Sequence, residues 1–189
     1  MQIIKKEVVP FSLWMVWLVL LTLTVDFFLH KLQLLQVGRY LGIPGTLLII
    51  LSFVYTLRKK KIITTGSPKT YLVVHEWLAW SGALLILVHS GIHFNAILPW
   101  VATAAMFLAV ASGLLGKYVL QRSRKSLQAR METLKKELKS EDDAEQILFW
   151  DSIAVKAMTQ WRVVHKPITA VFGILATVHI FVSLLFWNF

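Results

Sequence analysis

Apolar residues gather into five long runs along this chain, and basic residues fill most of the gaps between them. The runs are Phe11–Leu29, Leu41–Leu57, Tyr71–Phe94, Ala96–Leu120 and Ile168–Phe189. A helix needs ~20 mostly apolar residues to cross a hydrocarbon core, so each run is expected to span a membrane. The second is the least regular, being short and holding Gly42, Pro44 and Gly45. Just before it, KLQLLQVGRY (31–40) has the pattern of an amphipathic helix lying on the membrane surface. Between runs four and five the pattern changes. Leu127, Met131, Leu134 and Leu138 recur at helical intervals. Ser140 and Asp143 then predict a capping box for a second helix through Ile147, Trp150, Ile153 and Ala157. The expected fold is all-α: a polytopic membrane bundle of five transmembrane helices, with a cytoplasmic helical insert between helices four and five. An anchor helix (1–30) precedes helices two to four (31–120), a hairpin (121–160) and a fifth helix (161–189) that completes a four-helix core.

Charge gives the bundle a direction. With the N-terminus in the cytoplasm, all but Lys31 and Arg39 of the 20 Lys and Arg residues fall on the cytoplasmic side. That asymmetry is what orients membrane proteins. The C-terminus is then outside, and helices three and five both run from inside to outside. The N-terminus has the basic start of a signal peptide, but its apolar run is long and lacks a small-residue cleavage site, so a retained anchor is expected.

Composition sharpens this reading. Hydrophobic residues make up 57% of the chain and charged ones 16%, against ~45–50% and ~25% in soluble domains. The net charge of +10 reflects the membrane topology rather than a nucleic-acid surface. With no cysteine, the chain has no disulfide, thiolate-held zinc, iron–sulfur cluster or thioether-linked haem. No glycine-rich nucleotide fingerprint occurs either.

The candidate chemistry lies in two stretches. HEWLAWSGALLILVH (75–89) and HKPITAVFGILATVH (165–179) each place two histidines fourteen residues apart. That interval is four helical turns less about 40°, so both rings project from nearly one face, about 21 Å apart along the axis. On parallel helices His75 and His165 share one depth, and His89 and His179 another. Polar groups are costly in lipid and usually mark a functional site. Facing imidazoles suit the two axial positions of a haem iron, so two b-type haems are expected: an inner one on His75 and His165, an outer one on His89 and His179. Taken singly, each histidine is also a candidate interhelical hydrogen bonder, and a non-haem metal path is a further alternative. Gly82 and Gly173, and Ser112, Gly113 and Gly116 on helix four, would admit a flat ring or else simply pack helix against helix. Arg162, Lys166 and Lys69 are candidates to pair the inner propionates and Arg39 the outer ones; interfacial anchoring is their other role. Glu76 is expected near the cytoplasmic interface.

This histidine framework, over residues 41–189, resembles the di-haem membrane cytochromes b. It is similar to the haem-binding domain of ferric reductases and NADPH oxidases, whose third and fifth helices carry the ligands. HSGIH (89–93) is similar to a string on the third helix of those oxidases, which also makes His93 a candidate in place of His89. The cytochrome b of bc complexes has comparable paired histidines. The resemblance implies a cytoplasmic N-terminus and a basic connection between helices four and five. The chain lacks the sixth helix and the FAD- and NADPH-binding domain of the oxidases, so the resemblance names no donor.

Haem supplies redox chemistry, and imidazole on both faces suits electron relay rather than oxygen binding. The expected function is transmembrane electron transfer as a subunit of an oxidoreductase in the cell membrane, exchanging electrons with the quinone pool. An outer quinone site is expected at Asp26, His30 and His93, where a carboxylate beside an imidazole can take a quinol's protons; interfacial capping is the alternative. The 121–160 hairpin is expected either to pack on itself or on the membrane surface or to serve as a dock for a redox partner protein. The competing readings are an outward-facing metal or oxygen reductase fed by a cytoplasmic flavoprotein, a histidine-lined metal transporter, and an anchor without cofactor.

Overall fold

The computed structural model describes residues 2–92, 97–116, 122–138 and 149–186. Eight helices account for nearly all of them: α1 (Gln2–Lys31), α2 (Leu35–Tyr40), α3 (Gly42–Ser52), α4 (Val54–Lys59), α5 (Pro68–Ile92), α6 (Ile97–Leu114), α7 (Arg122–Leu138) and α8 (Phe149–Leu185). No strand occurs among the described residues. Five segments are long and apolar enough to cross a membrane: Val8–Lys31, Leu35–Lys59, Pro68–Gly91, Ile97–Leu114 and Val163–Leu185.

Burial is inverted relative to a water-soluble domain. Phe181 and Ile174 are 62% and 65% exposed, whereas Ser52 and Ser112 are each only 3% exposed. Helices apolar all round, with hydroxyls turned inward, belong in lipid, where an outward leucine costs nothing and an outward serine does.

The elements depart from the expected runs in two places. The segment expected as a surface helix forms α2, which is followed directly by α3 and α4 in one apolar stretch, Leu35–Lys59. That span is three short helices, because Leu41 and Phe53 interrupt it while keeping right-handed helical angles. Pro44 sits in the first turn of α3, where its missing N–H is tolerated. At Phe53 the ladder tightens to three-residue bonds, Phe53 N–H to Ile50 O at 3.0 Å and Thr56 N–H to Phe53 O at 2.8 Å. The Ser52 carbonyl is thereby left for another donor. The second departure is α8, which runs unbroken from Phe149 and absorbs both the expected fifth span and the helix expected through Ala157. Pro167 is tolerated inside it. The Ser140–Asp143 capping box lies outside the described residues, while α7 carries the expected 127–138 stripe.

The chain divides into two compact units, one of residues 1–16 and 111–168, the other of 17–110 and 169–189. In the second unit α3 lies close along α5. The crossing is made of glycines. A Cβ on Gly82 would come within 2.8 Å of the Gly45 carbonyl oxygen, and one on Gly45 within 2.8 Å of Ile86. Beside it Ala83, Met106 and Phe172 form a core joined by Ile49, Ile86, Ala105 and Ala176, which ties α3, α5, α6 and α8 together. Ser90 and Thr103 add a 2.8 Å hydroxyl bond between α5 and α6. The loop after α4 is held by Arg58, whose Nε and Nη2 both donate to the Gly66 carbonyl, at 3.1 and 3.0 Å. Gly66 there takes φ +79°, with Tyr71 packed where a side chain would go.

Gly82→Ala should therefore force two backbones apart and cost on the order of 1–3 kcal/mol. Gly173→Ala, with no atom within 4 Å of its added Cβ, should be neutral or slightly stabilising. Thermal unfolding in detergent separates them, and equal midpoints for both variants and the parent chain would refute the tight crossing.

Candidate functional site

The site begins with the carbonyl that the helix break releases. His75, half-buried on α5, donates its Nδ1–H to the Ser52 carbonyl oxygen at 2.9 Å. Tyr55, the second residue of α4, lies against the same ring with centroids 5.5 Å apart and planes tilted by 31°. One nitrogen of His75 is thus committed to the backbone, and Nε2 is the nitrogen left for a ligand. A ring fixed through one nitrogen and offered through the other is the usual arrangement of a metal-ligating histidine.

Two turns further on, Gly82 meets Gly45, and two turns beyond that His89 meets Gly42. A Cβ on Gly42 would lie 2.9 Å from His89 Cδ2, so only glycine leaves that ring its place. The stripe His75–Gly82–His89 therefore runs along Ser52–Gly45–Gly42 in the opposite direction. At Gly82 the open side is filled by the α3 backbone, so this glycine performs the helix-packing role. His89 and His179 belong to the same unit and are close enough for their charges to interact.

In the other unit, half-buried His165 hydrogen-bonds through Nδ1 to the Ser112 hydroxyl of α6. Gly113 leaves room beside it: a Cβ there would sit 3.7 Å from His165 Cε1. Ser112, buried in an apolar helix, thus has a function for its hydroxyl, and the second inner histidine is also engaged through Nδ1. The residue seven positions from both His165 and His179 is Phe172, on the histidine face and buried in the core. Gly173 is one step round the helix, facing open space, with its carbonyl bonded by Thr177. Gly116 likewise has nothing near it.

The remaining candidates divide. Arg39 is exposed on α2, one turn before Gly42, and Lys166 and Lys69 are exposed. The side chain of Arg162 and the whole of His93 lie outside the described residues. Asp26 and His30 do come together on α1. His30 Nδ1 donates to the Asp26 carbonyl oxygen at 2.9 Å, with the carboxylate Oδ1 at 3.5 Å. Sequence reasoning missed Ser52, Tyr55 and Gly42 as parts of the site. The hydroxyl of Ser52 in an apolar run was the available signal for α3, since a polar group in lipid needs a partner.

Among the described residues no three His, Asp or Glu side chains gather as a metal site. Searches against protein families, curated proteins and solved structures find nothing that matches this chain.

Ser112→Ala should leave the His165 ring without its Oγ partner and lower stability by about 1–3 kcal/mol. Ser112→Thr, which keeps a hydroxyl, should lose less. Detergent melting of the two variants checks this, and a Ser112→Ala chain as stable as the parent would show that the bond contributes nothing.

Proposed function

We propose that the chain is a di-haem b-type membrane cytochrome that carries electrons across the cell membrane as a subunit of an oxidoreductase, in exchange with the quinone pool. His75 and His165 would hold the inner haem, and His89 and His179 the outer one. The observation that carries this reading is the order of neighbours along α5 and α8. Ala83 shares a core with Phe172, and six residues later on α5 stands His89, whose charge is felt by His179, seven residues later on α8. Two helices running in one direction give that order, and the equal fourteen-residue intervals then match the pairs in depth.

The residues fit the group in further respects. His75 and His165 each engage a partner through Nδ1, one a carbonyl and one a hydroxyl, the kind of tie that orients a ligating imidazole. Ala83 of α5 and Phe172 of α8 pack in one core, which joins the two histidine-bearing helices.

When bound, haem supplies one-electron chemistry, with no open iron position if both axial sites hold imidazole. The protein's own work is to hold and orient four rings in a dry interior. Ser52 and Tyr55 fix His75, Ser112 fixes His165, and Gly42 gives His89 its place. Phe172 and Met106 fill the apolar core beside Ala83. Arg162, Lys166 and Lys69 are candidates for the inner propionates and Arg39 for the outer. The Lys and Arg asymmetry supports a cytoplasmic N-terminus and an outside C-terminus. The 121–160 segment is the candidate dock for a redox partner protein.

Purified chain should give two haems b in a pyridine haemochrome assay. Alanine at His89 or His179 should remove one of them and leave the other, and so should alanine at His75 or His165. A colourless preparation, made with ample iron and porphyrin, would overturn the reading.

A further inference from the structure

The turn between α4 and α5 holds a concentration of positive charge that the fold itself does not neutralise. It lies where the Leu35–Lys59 span ends and the Pro68–Gly91 span begins, so it opens on one face of the membrane. Arg58, Lys59, Lys60 and Lys61 follow one another there. Positive charge at a helix C-terminus offsets the partial negative charge of that end, but adjacent cations also repel one another. Among the described residues no carboxylate pairs with Lys59, Lys60 or Lys61.

The backbone of this row is nevertheless closely specified. The N–H groups of Lys60, Lys61 and Ile62 donate to the carbonyls of Thr56, Arg58 and Leu57 at 3.0, 3.1 and 3.0 Å. Such bonds close a helix whose next residue is left-handed, a position that glycine fills without strain. Here the left-handed residue is Lys61, at φ +60°. Arg58 ties the far side of the turn by giving two bonds to the Gly66 carbonyl. The result is a fixed loop with three exposed lysines and, next in sequence, Ile62, which is 67% exposed. A lysine held at a strained glycine position, in a row without counter-charge, points to a ligand that engages the charge.

We propose that the α4–α5 turn binds the headgroup phosphate of an acidic phospholipid through Lys59, Lys60 and Lys61, with Ile62 entering the boundary of the acyl chains. This goes beyond the electron-transfer reading and does not depend on haem. The end of a span is at headgroup depth, and long lysine stems lie along apolar surface while their ammonium groups reach the phosphates. Because the last carbonyls of α4 are already bonded, the helix end sits at the edge of the hydrocarbon without bare acceptors. A soluble anion would meet the charge but leave Ile62 in water. A lipid covers both.

The test titrates the full chain in dodecyl maltoside micelles with fluorescent phosphatidylglycerol and, separately, phosphatidylcholine. The parent chain should hold phosphatidylglycerol more tightly, and glutamine at Lys59, Lys60 and Lys61 together should abolish the preference. Near an acidic surface each lysine is worth about fivefold in affinity. Lys61→Gly should therefore bind phosphatidylglycerol about fivefold more weakly, yet melt at a higher temperature than the parent because the strain is gone. A lysine kept for the fold alone would leave lipid affinity unchanged. Ile62→Ser, which keeps every charge, should weaken phosphatidylglycerol binding as well. Equal affinity of the parent for the two lipids, or a parental preference in the triple variant, would overturn the proposal. Displacement by equimolar inorganic phosphate would overturn it too, by making the ligand a free anion. So would an equal loss in Lys125→Gln/Lys135→Gln/Lys136→Gln on α7, which would reduce the effect to net charge.

Discussion

The close crossing of α3 and α5 at Gly45 and Gly82 is the contact on which the rest of the second unit depends. Helices in lipid gain little from excluding apolar surface from water, so they associate through close backbone packing and polar bonds. With neither glycine carrying a side chain, the two backbones approach near enough for polar groups two turns away in each direction to find partners. Ser52 meets His75 on one side, and Gly42 makes room for His89 on the other. Larger residues at the crossing would separate the helices and strand both imidazoles in an apolar medium. The geometry of the histidines is therefore a consequence of glycines that carry no chemistry.

The helical class and the five apolar segments were legible in the residues because they depend on run length and composition alone. Ends and breaks were less so. A kink such as that at Phe53 involves no proline or glycine at its own position, and it leaves no mark in a hydropathy pattern. The unbroken course of α8 was hidden for a related reason: its first part is polar and its second apolar, a boundary of environment rather than of backbone. The same limit applied to the site. The fourteen-residue intervals could be counted, but which small residue stood between the histidines depended on face. Gly173 is near the midpoint in number, whereas Phe172 is on the face that matters. The partner of each imidazole was hidden too, because a carbonyl is present at every residue and only the fold decides which one is released.

The histidines are held in different ways. His75 is tied by a hydrogen bond to α3, and His165 by one to α6. His89 is accommodated by the absence of a side chain at Gly42, and the Asp26 carboxylate of α1 stands beside Gly91 in the next turn of α5.

The two inner rings also differ in how they are exposed to genetic change. Ser112 holds His165 with a side chain, so a single codon substitution removes the tether. His75 is held by main-chain oxygen at position 52, which all twenty amino acids supply alike. One anchor can drift and be adjusted by selection; the other is insulated from the genetic code as long as the backbone bend at Phe53 survives.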